Sequence, residues 1–232
     1  MTPDAGRTEW RDADGKALTD YPRPSVAVDV AVLTVQTGQL HVLVVERPDG
    51  ALALPGSFLR PGERLADAAE RALQTKAGLV GADFHQLAMF DAPDRDGRGW
   101  VLSMAHGATL RRDELPAEAT LVRVDGRTVT APLAFDHAAM VSRAVDDLRG
   151  RYARRVDPSG LLTNVFTVLE LRRLYETVFG RSLPKDSFRR LVIDAIEATG
   201  RTSSSGTGRP AELFRHRSGA DLPAGAAGML TD

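Results

Sequence analysis

Residues 54–79 read LPGSFLRPGERLADAAERALQTKAGL. Gly56 and Gly62 punctuate a tight LPGSFLRPGE segment, as turn glycines do. The Ala-rich run 63–77 lacks Gly and Pro and predicts a helix, which Gly78 terminates. Glu63, Asp67 and Arg71 fall at i, i+4 and i+8, so they share one side of that helix. That side is either a solvated face or the wall of a ligand site. Upstream, SVAVDVAVLTV (25–35) is Val-rich and reads as a buried strand. QTGQ (36–39) reads as a turn and LHVLVVE (40–46) as the partner strand. Downstream, FHQLAMF (84–90) and WVLSMAH (100–106) read as strands across the polar loop DAPDRDGRG, and 119–124 and 128–130 as shorter ones. The helix is therefore embedded in a β-rich α/β domain.

The chain has 232 residues, 43% of them hydrophobic, enough for one large domain or two modest ones. Lys+Arg (30) nearly balances Asp+Glu (31). The charge is uneven, however: residues 1–135 carry 15 basic and 19 acidic side chains, and residues 136–217 carry 15 and 10. A basic second half is compatible with nucleic-acid contact. With no cysteine there is no disulfide, thiolate metal site or thiol nucleophile. The start MTPDAGRTEW has no apolar h-region, and runs such as VAVLTV are too short to span a bilayer. The expected location is the cytoplasm, away from membranes.

Residues 54–79 resemble the Nudix box. The first glycine of that pattern falls on Ser57, its first glutamate on Glu63, its arginine on Arg71, its aliphatic on Leu73 and its closing pair on Gly78 and Leu79. Its other three glutamates fall on Ala72, Thr75 and Lys76. The resemblance, extended by the strands, covers roughly residues 25–130. It implies a Nudix fold, a mixed sheet packed by helices, whose enzymes hold Mg²⁺ or Mn²⁺ on carboxylates against a nucleoside diphosphate. Hard divalent cations require oxygen ligands, preferably anionic. Lys76 in such a site would instead repel a cation by ~4 kcal/mol at ~4 Å, and would attract a pyrophosphate. The expectation is a sensor with no catalytic residues and no metal or cofactor requirement. A metal-dependent hydrolase of ADP-ribose or a related nucleoside diphosphate, built on Glu63 and Arg71, is the rival.

FDAPDRDGRGWVLSMAH (90–106) resembles the strand-connecting loop of ADP-ribose-type Nudix domains. There Arg95 and Arg98 either meet phosphate or sit in a solvent loop. Arg47, after the strand ending VVER, is a further phosphate candidate. The expected ligand-binding set is thus Arg47, Glu63, Lys76, Arg95 and Arg98.

Beyond residue 133 the pattern turns helical. Asp136 is placed to cap a helix bearing Met140, Val141, Ala144, Val145 and Leu148, a candidate dimer contact or interdomain strut. Thr167 and Glu170 form a capping-box pair before Leu171, Leu174 and Val178. After Gly180, Pro184 opens a helix burying Phe188, Leu191, Val192 and Ile196. Two short helices, a tight connection and then TSSSGTGRP (202–210) as a turn between strands make a winged helix-turn-helix pattern. Lys185, Ser187, Arg189 and Arg190 are the expected groove-facing residues. Thr167, Arg173, Arg201, Arg209 and Arg215 are the expected backbone contacts. A small helical accessory domain with ordinary surface charge is the bland alternative. The domains expected are a loose segment 1–22, a degenerate Nudix sensing domain 23–133, an α+β winged helix 134–217 and a flexible tail 218–232.

With PLAFDH (132–137), FTVLELRRLYETVFGRSLPKDSFRR (166–190) and GRPAELFR (208–215), the chain from about 22 to 216 resembles the NrtR family of Nudix-related regulators of NAD metabolism. That resemblance implies a homodimeric repressor of NAD biosynthesis or salvage genes. It would bind double-stranded palindromic operator DNA and be released by ADP-ribose, NAD or a related nucleotide or sugar phosphate. A pure ligand-binding or protein-interaction module is the third reading.

Overall fold

The computed structural model describes residues 10–203 and 210–231. Its first layer is a sheet of β1 (Ser25–Gln36), β2 (Gln39–Glu46), β3 (Leu52–Ala53), β4 (Gly56–Phe58), β5 (Phe84–Phe90), β6 (Val101–Thr109), β7 (Thr120–Asp125) and β8 (Thr128–Val129). The order is β5-β6-β1-β2-β7-β8, with β3 beside β2 and β4 beside β1. β1 and β6 run parallel, while β2 and β4 pair with β1 antiparallel.

Side chains alternate across a strand, and β1 is covered on both faces. Val28, Val30 and Val32 pack with Ala68, Ala69 and Leu73 of α1 (Leu65–Ala77). Ala31 and Leu33 belong to the opposite core with Met140, Val141, Val145 and Leu148 of α2 (His137–Tyr152). A strand buried on both faces carries the near-continuous Val run seen in the sequence. Leu73 is 1% exposed, and its burial contributes about 1.5–3 kcal/mol.

α1 begins two residues later than the Ala-rich run suggests, because Glu63 folds back to accept the Arg60 N–H at 2.8 Å. It ends at Gly78, which is left-handed at φ 66°. The second half holds β9 (Phe166–Thr167), α3 (Val168–Phe179), α4 (Lys185–Val192), β10 (Ile196–Thr202) and β11 (Glu212–His216), with the three strands in the order β10-β11-β9. The expected capping box forms: Thr167 Oγ1 accepts the Glu170 N–H at 3.2 Å, and the Glu170 carboxylate accepts the Thr167 N–H at 2.7 Å. The mixed sheet followed by a winged helix is the fold class expected from the sequence.

α2 belongs to both halves. Its apolar side lies on the sheet, and the same core continues into Leu171, Leu174, Tyr175 and Val178 of α3. The sequence grouped this helix with 134–217 because its pattern is helical, which says nothing about which neighbour takes its face. The expected flexible tail differs more. Leu222, Ala226 and Leu230 are buried, and the Leu222 N–H bonds to the Arg154 carbonyl at 2.7 Å. These residues are four apart, so Ala226 and Leu230 share one side of α5 (Ala226–Thr231); Gly and Ala content hid that pattern. Within the segment expected to be loose, residues 10–22 form a 3₁₀ turn at Leu18–Asp20, and Ala17 is buried.

Candidate functional site

One cavity of about 730 Å³ opens between the ends of β1, β2 and β4, the loop before β6 and the segment leading into α2. Arg47, Lys76, Arg95 and Arg98 all line it, so four of the five expected ligand residues come together. Glu63 does not line it. Its carboxylate takes two 2.8 Å bonds from Arg71, which also donates to Ser57 Oγ at 2.6 Å and to the Phe58 carbonyl at 3.0 Å. The guanidinium beside it holds Glu63 below the usual carboxylate range. Arg71 and Glu63 therefore tie the 56–63 turn to α1.

The four basic residues differ in what they are free to do. Arg95 is expected at phosphate, yet its side chain is 3% exposed and bonds Asp136 through two nitrogens at 2.6 and 2.9 Å. Asp136 sits where a helix cap would, but makes no side-chain cap bond; Arg95 has taken its carboxylate. Arg98 pairs with Asp96 at 2.7 Å and Arg47 with Asp49 at 2.9 Å. Their guanidinium carbons lie 5.0 and 4.7 Å from the centre of the Phe135 ring. Lys76 is exposed and makes no ion pair among the described residues.

The cavity floor holds residues the sequence analysis did not single out. Asp29, the one charged residue in the β1 run, is 8% exposed and accepts from Ser103 Oγ at 2.6 Å. His137 Nδ1 accepts the Leu54 N–H at 2.9 Å, so its proton sits on Nε2, 3.4 Å from Asp29 Oδ1. Burial pushes the Asp29 carboxyl up, but His137, Ser103 and Arg95 outweigh it and the net shift is downward. Gly56 is required here: a Cβ would meet Asp29 Oδ1 at 1.9 Å. Phe135 is left-handed at φ 55°, a conformation that costs a side-chain-bearing residue about 1–2 kcal/mol. The isolated Asp in a Val run was a readable signal for Asp29; nothing local marks the Phe135 backbone.

The Nudix helix does not fit a divalent cation. Ala72 is buried, Thr75 Oγ1 donates to the Arg71 carbonyl at 2.7 Å, and Lys76 is cationic. Among the described residues no group of three or more His, Asp or Glu side chains could hold a metal.

On the winged helix, Thr167, Lys185 and Arg189 line a second hollow of about 340 Å³ between α3, α4 and β11. Arg173, Arg190 and Arg201 are exposed outside it, and Ser187 is half-buried 3.5 Å from Arg190. Arg215 is spent on Glu197 at 3.0 Å, and the Thr167 hydroxyl on its cap. Arg209 lies outside the described residues.

Residues 23–131 match the Nudix domain model, and residues 158–216 match that of the NrtR DNA-binding winged helix domain. The "ADPR responsive transcriptional repressor NtrR" of Acinetobacter baylyi is 31% identical over 85% of this chain and 84% of its own length. An ADP-ribose pyrophosphatase of Methanocaldococcus jannaschii is 29% identical over 55% of this chain and 77% of its own. The crystal structure of Shewanella oneidensis NrtR complexed with a 27mer DNA superposes with a TM-score of 0.68 at 27% identity, covering 88% of this chain and 96% of that one. With a regulator matched over most of both lengths and the two domains present in the same order, the chain belongs to the NrtR family of Nudix-related, winged-helix transcriptional regulators.

Proposed function

We propose that this ligand-responsive transcriptional repressor lets go of a palindromic operator when ADP-ribose or a related nucleotide enters the 730 Å³ cavity. One observation carries the reading. The cavity wall at Phe135 and His137 runs directly into α2, and α2 packs on α3 of the winged helix. A ligand that shifts that wall changes where the winged helix sits. A hundredfold loss of DNA affinity requires ~2.7 kcal/mol of coupling between the two sites.

The chain is a regulator and not a hydrolase. Lys76 supports pyrophosphate binding without a metal, since it brings an unpaired cation to the cavity. Arg47 and Arg98 are candidates for the flat parts of the ligand. For DNA, Lys185, Arg189 and Arg190 on α4 are the candidate readers, and Arg173 and Arg201 the candidate backbone contacts. One winged helix contacts too few base pairs for high specificity; two, spaced by one DNA turn of ~34 Å, would read a palindrome as a homodimer. Genes of NAD biosynthesis or salvage are the proposed targets. The test is calorimetry of the full chain with ADP-ribose, NAD and ribose 5-phosphate, with and without operator DNA, in EDTA. Binding of ADP-ribose that survives EDTA and weakens DNA supports the reading. Failure of all three to bind would reduce the first domain to a scaffold.

A further inference from the structure

We propose that Phe135 is a gate: its ring holds the stacking place beside Arg47 and Arg98 that the base of a nucleotide effector takes on binding. The proposal rests on reading the cavity as a nucleotide site.

Three observations meet at this residue. First, its backbone is left-handed at φ 55°, where a bulky side chain is an outlier that its surroundings must hold. The holders are close by. The Ala134 N–H bonds the Leu52 carbonyl at 2.7 Å, Asp136 is gripped by Arg95, and His137 accepts from Leu54. The strain is therefore imposed by the cavity wall.

Second, the ring is only half-buried and faces the cavity, with two guanidinium groups over it at 4.7 and 5.0 Å. Each guanidinium already has its carboxylate, Asp49 or Asp96. Charge-paired in this way, Arg47 and Arg98 present planar faces and stack on any π-system. A purine offers a larger such face than a phenyl ring, so ring and base compete for one place.

Third, Phe135 stands two residues before the first residue of α2. Because residues 134, 136 and 137 on either side are tied to the cavity wall, a ring pushed out of the stack pulls on those ties, and the start of α2 shifts with them. Base binding and helix displacement thus become one event.

The test is calorimetry on full-length parent, F135A and F135G, with ADP-ribose, AMP and ribose 5-phosphate as probes. F135A removes the ring. F135G also accepts φ 55° without strain, so it serves if F135A folds poorly. An effector that must first empty its place binds more weakly by the fraction of open gate. Both variants should then bind ADP-ribose and AMP about tenfold more tightly, with the open fraction taken as about one in ten. Ribose 5-phosphate, which has no base, should bind parent and variants alike. Tight binding by the variants alone would also support the gate. If the parent binds ADP-ribose and the variants bind it no better, the gate is overturned while the nucleotide reading stands. Equal tightening for ribose 5-phosphate would make the ring a general obstacle and overturn the base assignment. If neither parent nor variants bind ADP-ribose or AMP, both readings fall together.

Discussion

Arg95 and Asp136 form a two-pronged ion pair, at 2.6 and 2.9 Å, that ties the loop before β6 to the start of α2. The arginine is almost wholly enclosed, and Asp29 lies 4.0 Å away. Breaking a buried pair leaves a charge without its partner, which costs more than the pair itself contributes. Asp136→Ala should destabilise the protein by about 3 kcal/mol, because Arg95 stays buried. Arg95→Ala should cost at least as much, about 3 kcal/mol, because it also takes the cation from beside the buried Asp29 carboxylate. Denaturant melts of the two variants check both the size and the order.

Asp157 joins the two halves. Its carboxylate accepts from Tyr152 Oη at 2.5 Å and from the Leu161 and Leu162 N–H groups at 2.8 and 2.9 Å, and lies 3.7 Å from His216 at the end of β11. Burial pushes this carboxyl up, yet His216, Tyr152 and the backbone donors hold it below its ordinary value. A lowered folded-state pKa stabilises the protein above the unfolded value, ~3.9, and that contribution is lost as pH falls through the folded one. Asp157→Asn should therefore lower the melting temperature at pH 7. The difference between variant and parent should shrink below about pH 4. Parallel thermal melts across pH 3–7 give the comparison.

The exposed cations Arg190 and Arg201 on the winged helix are proposed to play different roles. Arg190→Ala should weaken operator binding by ~1–3 kcal/mol if the side chain reads a base edge, and should narrow the gap between operator and scrambled DNA. Arg201→Ala should weaken both DNAs equally and lower the slope of log K against log salt by about one. Anisotropy titrations at several salt concentrations separate the two outcomes.

Lys76 lines the cavity and makes no ion pair among the described residues. Lys76→Glu should weaken ADP-ribose binding at least tenfold by setting an anion against pyrophosphate. It should not create a hydrolase, because Ala72 and Thr75 still offer no carboxylate. Calorimetry checks the lost affinity, and a product assay with Mn²⁺ checks that no turnover appears.

The sheet was legible because β1 is buried on both faces and β7 on one, and hydrophobic period reports burial directly. Capping was legible at Thr167, where the box is local, and misleading at Asp136, whose partner Arg95 is distant in sequence. The site was half legible. Arg47, Lys76, Arg95 and Arg98 were marked by charge beside a known motif, and they do converge. Their different states, two stacked, one buried and one free, depend on Asp49 and Asp96, which lie two residues away in the chain, and on Asp136 and Phe135, which only the fold brings near. The buried tail residues Leu222, Ala226 and Leu230 were missed because their alanine- and glycine-rich surroundings resemble a linker.

The most direct test of the account is operator release. Full-length protein is bound to a labelled palindromic operator, and ADP-ribose is titrated in with EDTA present. A saturable loss of anisotropy is expected, with apparent DNA affinity falling about a hundredfold at saturation. Unchanged anisotropy at ADP-ribose concentrations that calorimetry shows to be saturating would contradict it.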